Sequence, residues 1–213
     1  MNPRRLLLLR HGQTAWNAQS RFQGQTDIDL DDVGRAQAER AAELLARLRP
    51  DLLVSSDLRR ATDTAAALAR RTGLAVGVDR RLRETDAGQW QGYTAPEIDA
   101  RFGDARAAWR AGSDAPAGGT GERRSEVGAR VAAALLEHGA RLAKGGLLVA
   151  VTHGGAVSSG LHVMLGIPRQ HWPVLTGLSN CHWSILAERG GGRWVLEEHN
   201  GGSLPEEVVG DES

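Results

Sequence analysis

The chain has 213 residues, with 26 basic and 26 acidic side chains and a formal net charge of zero. That balance excludes the basic stripe of a nucleic-acid binder and the polybasic patch of a membrane-surface protein, and the length is that of one domain able to bury a substantial core. A single cysteine, Cys181, excludes an intrachain disulfide and a Cys-based zinc cluster.

The basic start is followed by only four apolar residues, Leu6-Leu7-Leu8-Leu9. A secretory leader needs roughly 7–15 and a membrane span roughly 18, so a cytoplasmic protein is expected. The same run stops abruptly at Arg10-His11-Gly12 and reads as a strand buried on both faces. Residues 13–30 are polar and read as a long loop. Asp31 can cap the helix that follows, with Ala41, Leu44, Leu45 and Leu48 as its apolar stripe and Pro50 as its stop. Leu52-Leu53-Val54 is a second buried strand, after which Ser56 or Asp57 caps a helix to about Arg71, closed by Gly73. A weaker strand over 76–78 leads into a non-periodic stretch over 80–94 that contains Glu84. Helices are expected over 95–101 and 105–110, then a Gly/Ala/Pro-rich loop over 112–121. Val127, Val131, Leu135 and His138 give one face of a helix over 123–142. A fourth buried strand over 147–151 ends at Thr152-His153-Gly154. A helix to about Leu165 and strands over 181–187 and 194–197 complete the pattern. Buried strands alternating with amphipathic helices predict an α/β chain, a three-layer α/β/α sandwich around a mostly parallel sheet. One domain is expected over 1–199, with a polar, acidic tail over 200–213.

Two segments share one design, an apolar run followed by His-Gly, at His11 and at His153. Open α/β sheets bind ligands beyond the carboxyl ends of their strands, near a topological switch point, so the two histidines can converge. The strand over 52–54 delivers Arg60 in the same way. This set suits phosphoryl transfer. Guanidinium forks on Arg10 and Arg60 match the oxygens of a phosphate ester, and neutral imidazole is a competent nucleophile near pH 7. An alkoxide leaves poorly without a proton, which Glu84 can supply.

These residues lie in segments that resemble the histidine phosphatase superfamily, in its phosphoglycerate mutase-like branch. Arg10-His11-Gly12-Gln13-Thr14-Ala15-Trp16-Asn17 resembles the opening motif and Arg21-Phe22-Gln23-Gly24 the phosphate-loop segment. Ser55-Ser56-Asp57-Leu58-Arg59-Arg60-Ala61 resembles the second arginine motif, Arg81-Leu82-Arg83-Glu84 the acid motif, and Val151-Thr152-His153-Gly154-Gly155 the second histidine motif. They come in family order over residues 5–187. The resemblance implies phosphorylation of His11. Arg10, Arg60 and His153 would hold the phosphoryl oxygens, with Asn17, Gln23, Gly24 and Gly154 assisting. Glu84 would serve as acid and then as base, with no metal and no cofactor. The carbonyl of Gly12 is expected to fix the tautomer of His11. The partner would be a small phosphate ester, and a homodimer lined by residues 172–178 is expected by analogy.

Within the family, the acid motif together with Gly88-Gln89-Trp90-Gln91-Gly92 looks most like the actinobacterial phosphatases of glucosyl-3-phosphoglycerate, so a small phosphorylated sugar acid is the expected substrate. The alternatives are a mutase, a broader phosphatase of sugar or cofactor-precursor phosphates, and a non-catalytic binder of phosphorylated partners. The interval from Thr85 to Thr152 is shorter than is usual in the mutases, and no member of the catalytic set is missing. Gly121-Glu122-Arg123 stands where the family often has Gly-Glu-Ser, so Arg123 either meets an acidic substrate or faces solvent. Trp16, Trp90, Trp109 and Trp172 are candidates to stack on a sugar, against the core role more usual for large aromatics. The remaining histidines read as ordinary. Asp27-Ile28-Asp29 mimics an aspartyl-nucleophile motif but follows polar residues, not a strand. Position 187 is Ala where a nucleophilic Cys181 would need Arg. No Walker A loop, His-Glu-x-x-His helix or Gly-x-Ser-x-Gly elbow is present.

Overall fold

The computed structural model describes residues 3–202. Strand β1 (Arg5–Arg10) lies inside the sheet, between β4 (Leu147–Thr152), which runs parallel to it, and β5 (Trp183–Arg189), which runs antiparallel. With β2 (Leu52–Ser55), β3 (Val76–Val78) and β6 (Arg193–Gly201), the order is β3-β2-β4-β1-β5-β6. The β3-β2-β4-β1 part is parallel, and β5 and β6 form an antiparallel hairpin at one edge.

The four-leucine run owes its continuity to this central place. Successive side chains of a strand point to opposite faces, so Leu7 and Leu9 feed one layer while Leu6 and Leu8 feed the other. On the first face lie α2 (Asp32–Ala46) and α3 (Arg59–Thr72), packed through Ala38, Ala41, Leu45, Ala61, Ala65 and Leu68. On the second lie α5 (Arg124–Ala140) and α6 (Gly154–Met164), packed through Val127, Val131, Leu135, Val157 and Leu161. The chain leaves β1 toward the first face and β4 toward the second, so the switch point falls between these two strands. A third, smaller cluster joins Trp90, Ile98, Trp109 and Ala117, built from a 3-10 turn (Gly88–Trp90) and α4 (Ala95–Arg110).

Several local expectations are corrected. Residues 13–30 hold a short helix, α1 (Ala15–Ala18), opened by a capping box between Thr14 and Asn17. Asp31 does cap α2, accepting from Gly34 N at 2.7 Å. Its buried stripe, however, is Ala38, Ala41, Ala42 and Leu45, whereas Leu44 and Leu48 are 36% and 39% exposed. The face toward the sheet and α3 is packed with small residues, which rotates the leucines outward. Neither Ser56 nor Asp57 caps α3. The Asp27 carboxylate, from the loop before α2, accepts from Arg59 N at 2.8 Å, and Asp57 instead holds Arg83 through two 2.7 Å bonds. Gly73 closes α3 in the left-handed region, as expected. The two helices expected over 95–101 and 105–110 are present as α4 (Ala95–Arg110), broken by a kink at the non-helical residue Phe102. β6 runs on to Gly201, past the expected end of the domain at 199, and the rest of the expected tail, residues 203–213, lies outside the described residues. Among the described residues no helix is long and apolar enough to cross a membrane.

Candidate active site

His11 follows β1 at the switch point and is almost wholly buried. Its Nδ1 lies 2.7 Å from Gly12 O, so Nδ1 carries the proton and donates, as expected. This leaves the Nε2 lone pair to accept from Arg60 Nε at 3.2 Å. Burial, then the charges of Arg60 and Arg10, push His11 well below the ordinary imidazole range. The ring is therefore neutral and nucleophilic at physiological pH. Gly12 is required by packing, since a Cβ there would lie 2.3 Å from Gly34 O in the first turn of α2.

Arg60 is fully buried in the first turn of α3. It donates to Gly24 O and Thr26 O, both at 2.8 Å, tying the loop after α1 to His11. Arg10 is held by Leu178 O at 2.5 Å. His153, at the end of β4, meets the His11 ring edge-on, with centroids 5.1 Å apart. Its Nε2 is 2.9 Å from the Ser56 hydroxyl, while its buried Nδ1 has no hydrogen-bond partner among the described residues. Burial and then Arg60 also keep His153 well below the usual range.

Glu84 reaches the site from the loop after β3. Its carboxylate accepts from Thr85 N at 2.7 Å and from Gly155 N, in the first turn of α6, at 3.1 Å. A Cβ on residue 155 would lie 2.8 Å from Glu84 Oε1, so glycine makes that approach possible. Arg83 is turned away to Asp57, and the loop is clamped from behind by Arg130, which sequence reasoning missed. Arg130 donates to the carbonyls of Arg81, Arg83 and Glu84 at 2.6–2.9 Å and pairs with Glu122. No motif flags it, because its role is to hold main chain.

Arg10, His11, Gln23, Gly24, Arg60, Glu84 and Gly154 line one cavity of about 510 Å³. Two residues of the expected set are not on its wall. His153 stands behind His11, and Asn17 is buried with its Oδ1 accepting from Thr14 N and Asn180 Nδ2. Asn180, also missed, donates to His11 O at 3.0 Å. Trp90, Trp109 and Trp172 are on the wall and Trp16 is not. Arg123 is exposed, donating to Asp114 O, and the residue that faces the cavity is its neighbour Arg124. Asp27 and Asp29 pair with Arg59 and take no place in the site. Of residues 172–178, Trp172 and Leu178 are buried, Pro173, Val174 and Thr176 are exposed, and Leu175 and Gly177 lie between.

A family model described as "Histidine phosphatase superfamily (branch 1)" matches residues 6–201. A glucosyl-3-phosphoglycerate phosphatase of Mycolicibacterium vanbaalenii is 49% identical over 182 residues, covering 82% of this chain and 80% of that protein. A solved mycobacterial glucosyl-3-phosphoglycerate phosphatase in complex with VO3 superimposes with a TM-score of 0.87 at 46% identity, covering 92% of this chain and 98% of that one. A phosphoserine phosphatase from Entamoeba histolytica, solved with 3-phosphoglyceric acid, gives 0.80 at 27% identity, covering 93% and 97%.

Proposed function

The chain belongs to the histidine phosphatase superfamily, branch 1, and on that premise we propose that it is a phosphomonoester hydrolase working through a phosphohistidine on His11, with glucosyl-3-phosphoglycerate or a similar small phosphorylated sugar acid as substrate. The observation that carries this reading is the state of His11: a neutral ring, its proton on Nδ1, its Nε2 lone pair accepting from Arg60 with the charge of Arg10 nearby.

The ester's phosphoryl group would sit on Arg10, Arg60 and the first turn of α6, with His153 backing the His11 ring. His11 Nε2 forms the N–P bond as the P–O ester bond breaks, and Glu84 gives its proton to the departing oxygen. In the second half Glu84 takes a proton from water, the water oxygen forms the new P–O bond, and the P–N bond breaks to release inorganic phosphate. Positioned positive charge accounts for most of the acceleration expected of a loose transition state. Two guanidiniums supply that charge, which is why the reading includes no metal. Asn17 would act indirectly, by fixing the loop around Thr14.

The substrate assignment draws on the mycobacterial relatives and on a cavity far larger than a phosphoryl group needs. The test is phosphate release, in EDTA, from glucosyl-3-phosphoglycerate, 3-phosphoglycerate, sugar phosphates and an aryl phosphate. Preference for the glycosylated ester is expected, together with acid-labile label on the protein after a quench with 32P-substrate. No release from any ester sinks the proposal, a Mg²⁺ requirement sinks its metal-independent form, and label moving between 3- and 2-phosphoglycerate without free phosphate makes the chain a mutase. Cytoplasmic location and a homodimer complete the reading, the latter checked by light scattering.

A further inference from the structure

We infer that Arg124, stacked on Trp109, is a second anion subsite of the same cavity and takes a carboxylate of the substrate, an inference that rests on the phosphatase reading above. Arg124 is the first residue of α5, and its side chain lines the cavity. Its guanidinium carbon lies 4.1 Å from the Trp109 ring centroid. Among the described residues it makes no hydrogen bond and no ion pair. The other arginines of the wall are all engaged: Arg110 with Asp99, Arg21 with Gly92 O and Glu97, Arg10 and Arg60 with main-chain carbonyls. The carboxylate that Arg124 feels, Asp114, is committed to Arg169 at 2.8 Å and to the N–H and hydroxyl of Ser125.

A half-buried cation without a counter-ion is costly to maintain. Burial, and then the neighbouring charge of Arg106, press Arg124 down to about 10, which still leaves it charged at neutral pH. His162, on the same wall, is held below the usual imidazole range, first by burial, and brings no negative charge. Among the described residues no carboxylate bonds Arg124, so this end of the cavity attracts an anion. A guanidinium lying over an indole ring makes no hydrogen bond to it, so the N–H groups of Arg124 remain available to grip a carboxylate with two bonds. At the catalytic pole two guanidiniums meet a dianion, whereas the single fork of Arg124 matches a monoanion. The cavity thus has two positive poles, and a phosphate ester that also carries a carboxylate satisfies both.

The decisive quantity is the ratio of kcat/KM for 3-phosphoglycerate to that for glycerol 3-phosphate, esters of equal chain length that differ by the carboxylate. In Arg124→Met this ratio should fall tenfold or more, mainly through KM, and Arg124→Lys should recover part of it. Arg123→Ser, outside the cavity, is the control and should keep the wild-type ratio. Equal loss on both esters, or no loss, overturns the inference by making Arg124 structural or idle. A loss confined to fructose 1,6-bisphosphate relative to fructose 6-phosphate overturns it as well, by making the subsite one for a second phosphate. Wild-type protein that cleaves none of these esters refutes the phosphatase reading. Equilibrium binding of the first two esters, followed by tryptophan fluorescence, then still measures the carboxylate preference and its dependence on Arg124.

Discussion

Glu84 and Gly155 act as a pair, because the carboxylate reaches the mouth of the site through a gap that exists only where residue 155 lacks a side chain. Replacing Glu84 by Gln removes the transferable proton and should lower kcat for alkyl phosphates about 10²–10⁴-fold. A nitrophenyl phosphate, whose leaving group needs little help, should lose much less, and equal losses on the two ester classes would refute the acid assignment. Gly155→Ala places a methyl group 2.8 Å from Glu84 Oε1 and must displace it. The same dependence on leaving group is expected, at smaller size, with the melting temperature little changed. His11→Ala should abolish both turnover and acid-labile phosphate on the protein.

Between the residue and the fold stands the loop that carries Glu84, and its rigidity comes from Arg130. Arg130→Met would strip three main-chain carbonyls of their donor and leave Glu122 without its guanidinium. Unsatisfied groups of this kind cost about 1–3 kcal/mol, so the urea midpoint should drop, and kcat should fall more steeply than KM rises. An unchanged midpoint would show that the clamp contributes nothing. At this scale the sequence is readable in part. The inner strands announce themselves as apolar runs too short for helices, and the histidines and arginines at their ends follow from where sheets of this kind place ligands. The buried face of α2 is hidden because it is built of alanines, whose weak hydropathy yields to that of the exposed Leu44 and Leu48. The cap of α3 is hidden because its carboxylate, on Asp27, lies 32 residues before the N–H it serves. Arg124 is hidden for a third reason. Which of two adjacent arginines faces inward depends on the phase at which α5 begins, and on the wall that Trp109 makes from another helix.

Taken whole, the molecule holds two neutral histidines buried among arginines, and this sets the sign of its acid response. His11 and His153 are both depressed by burial first and by arginines second. The unfolded chain, with imidazoles near 6.5, binds protons there that the fold refuses. Stability should be full above about pH 6.5 and should decline as pH falls from there toward the folded values. Urea midpoints at pH 7.5 and 5.5 measure this, and identical midpoints would mean that both rings are charged in the fold.

The position of β1 has a further consequence. The strand that ends at His11 precedes the other strands of the sheet, yet both of its neighbours, β4 and β5, follow only after β2 and β3. A nascent chain therefore carries β1 with no partner strand on either side until β4 and β5 have emerged. Until then its four consecutive leucines are exposed, an unpaired apolar strand of the kind that misassociates during folding.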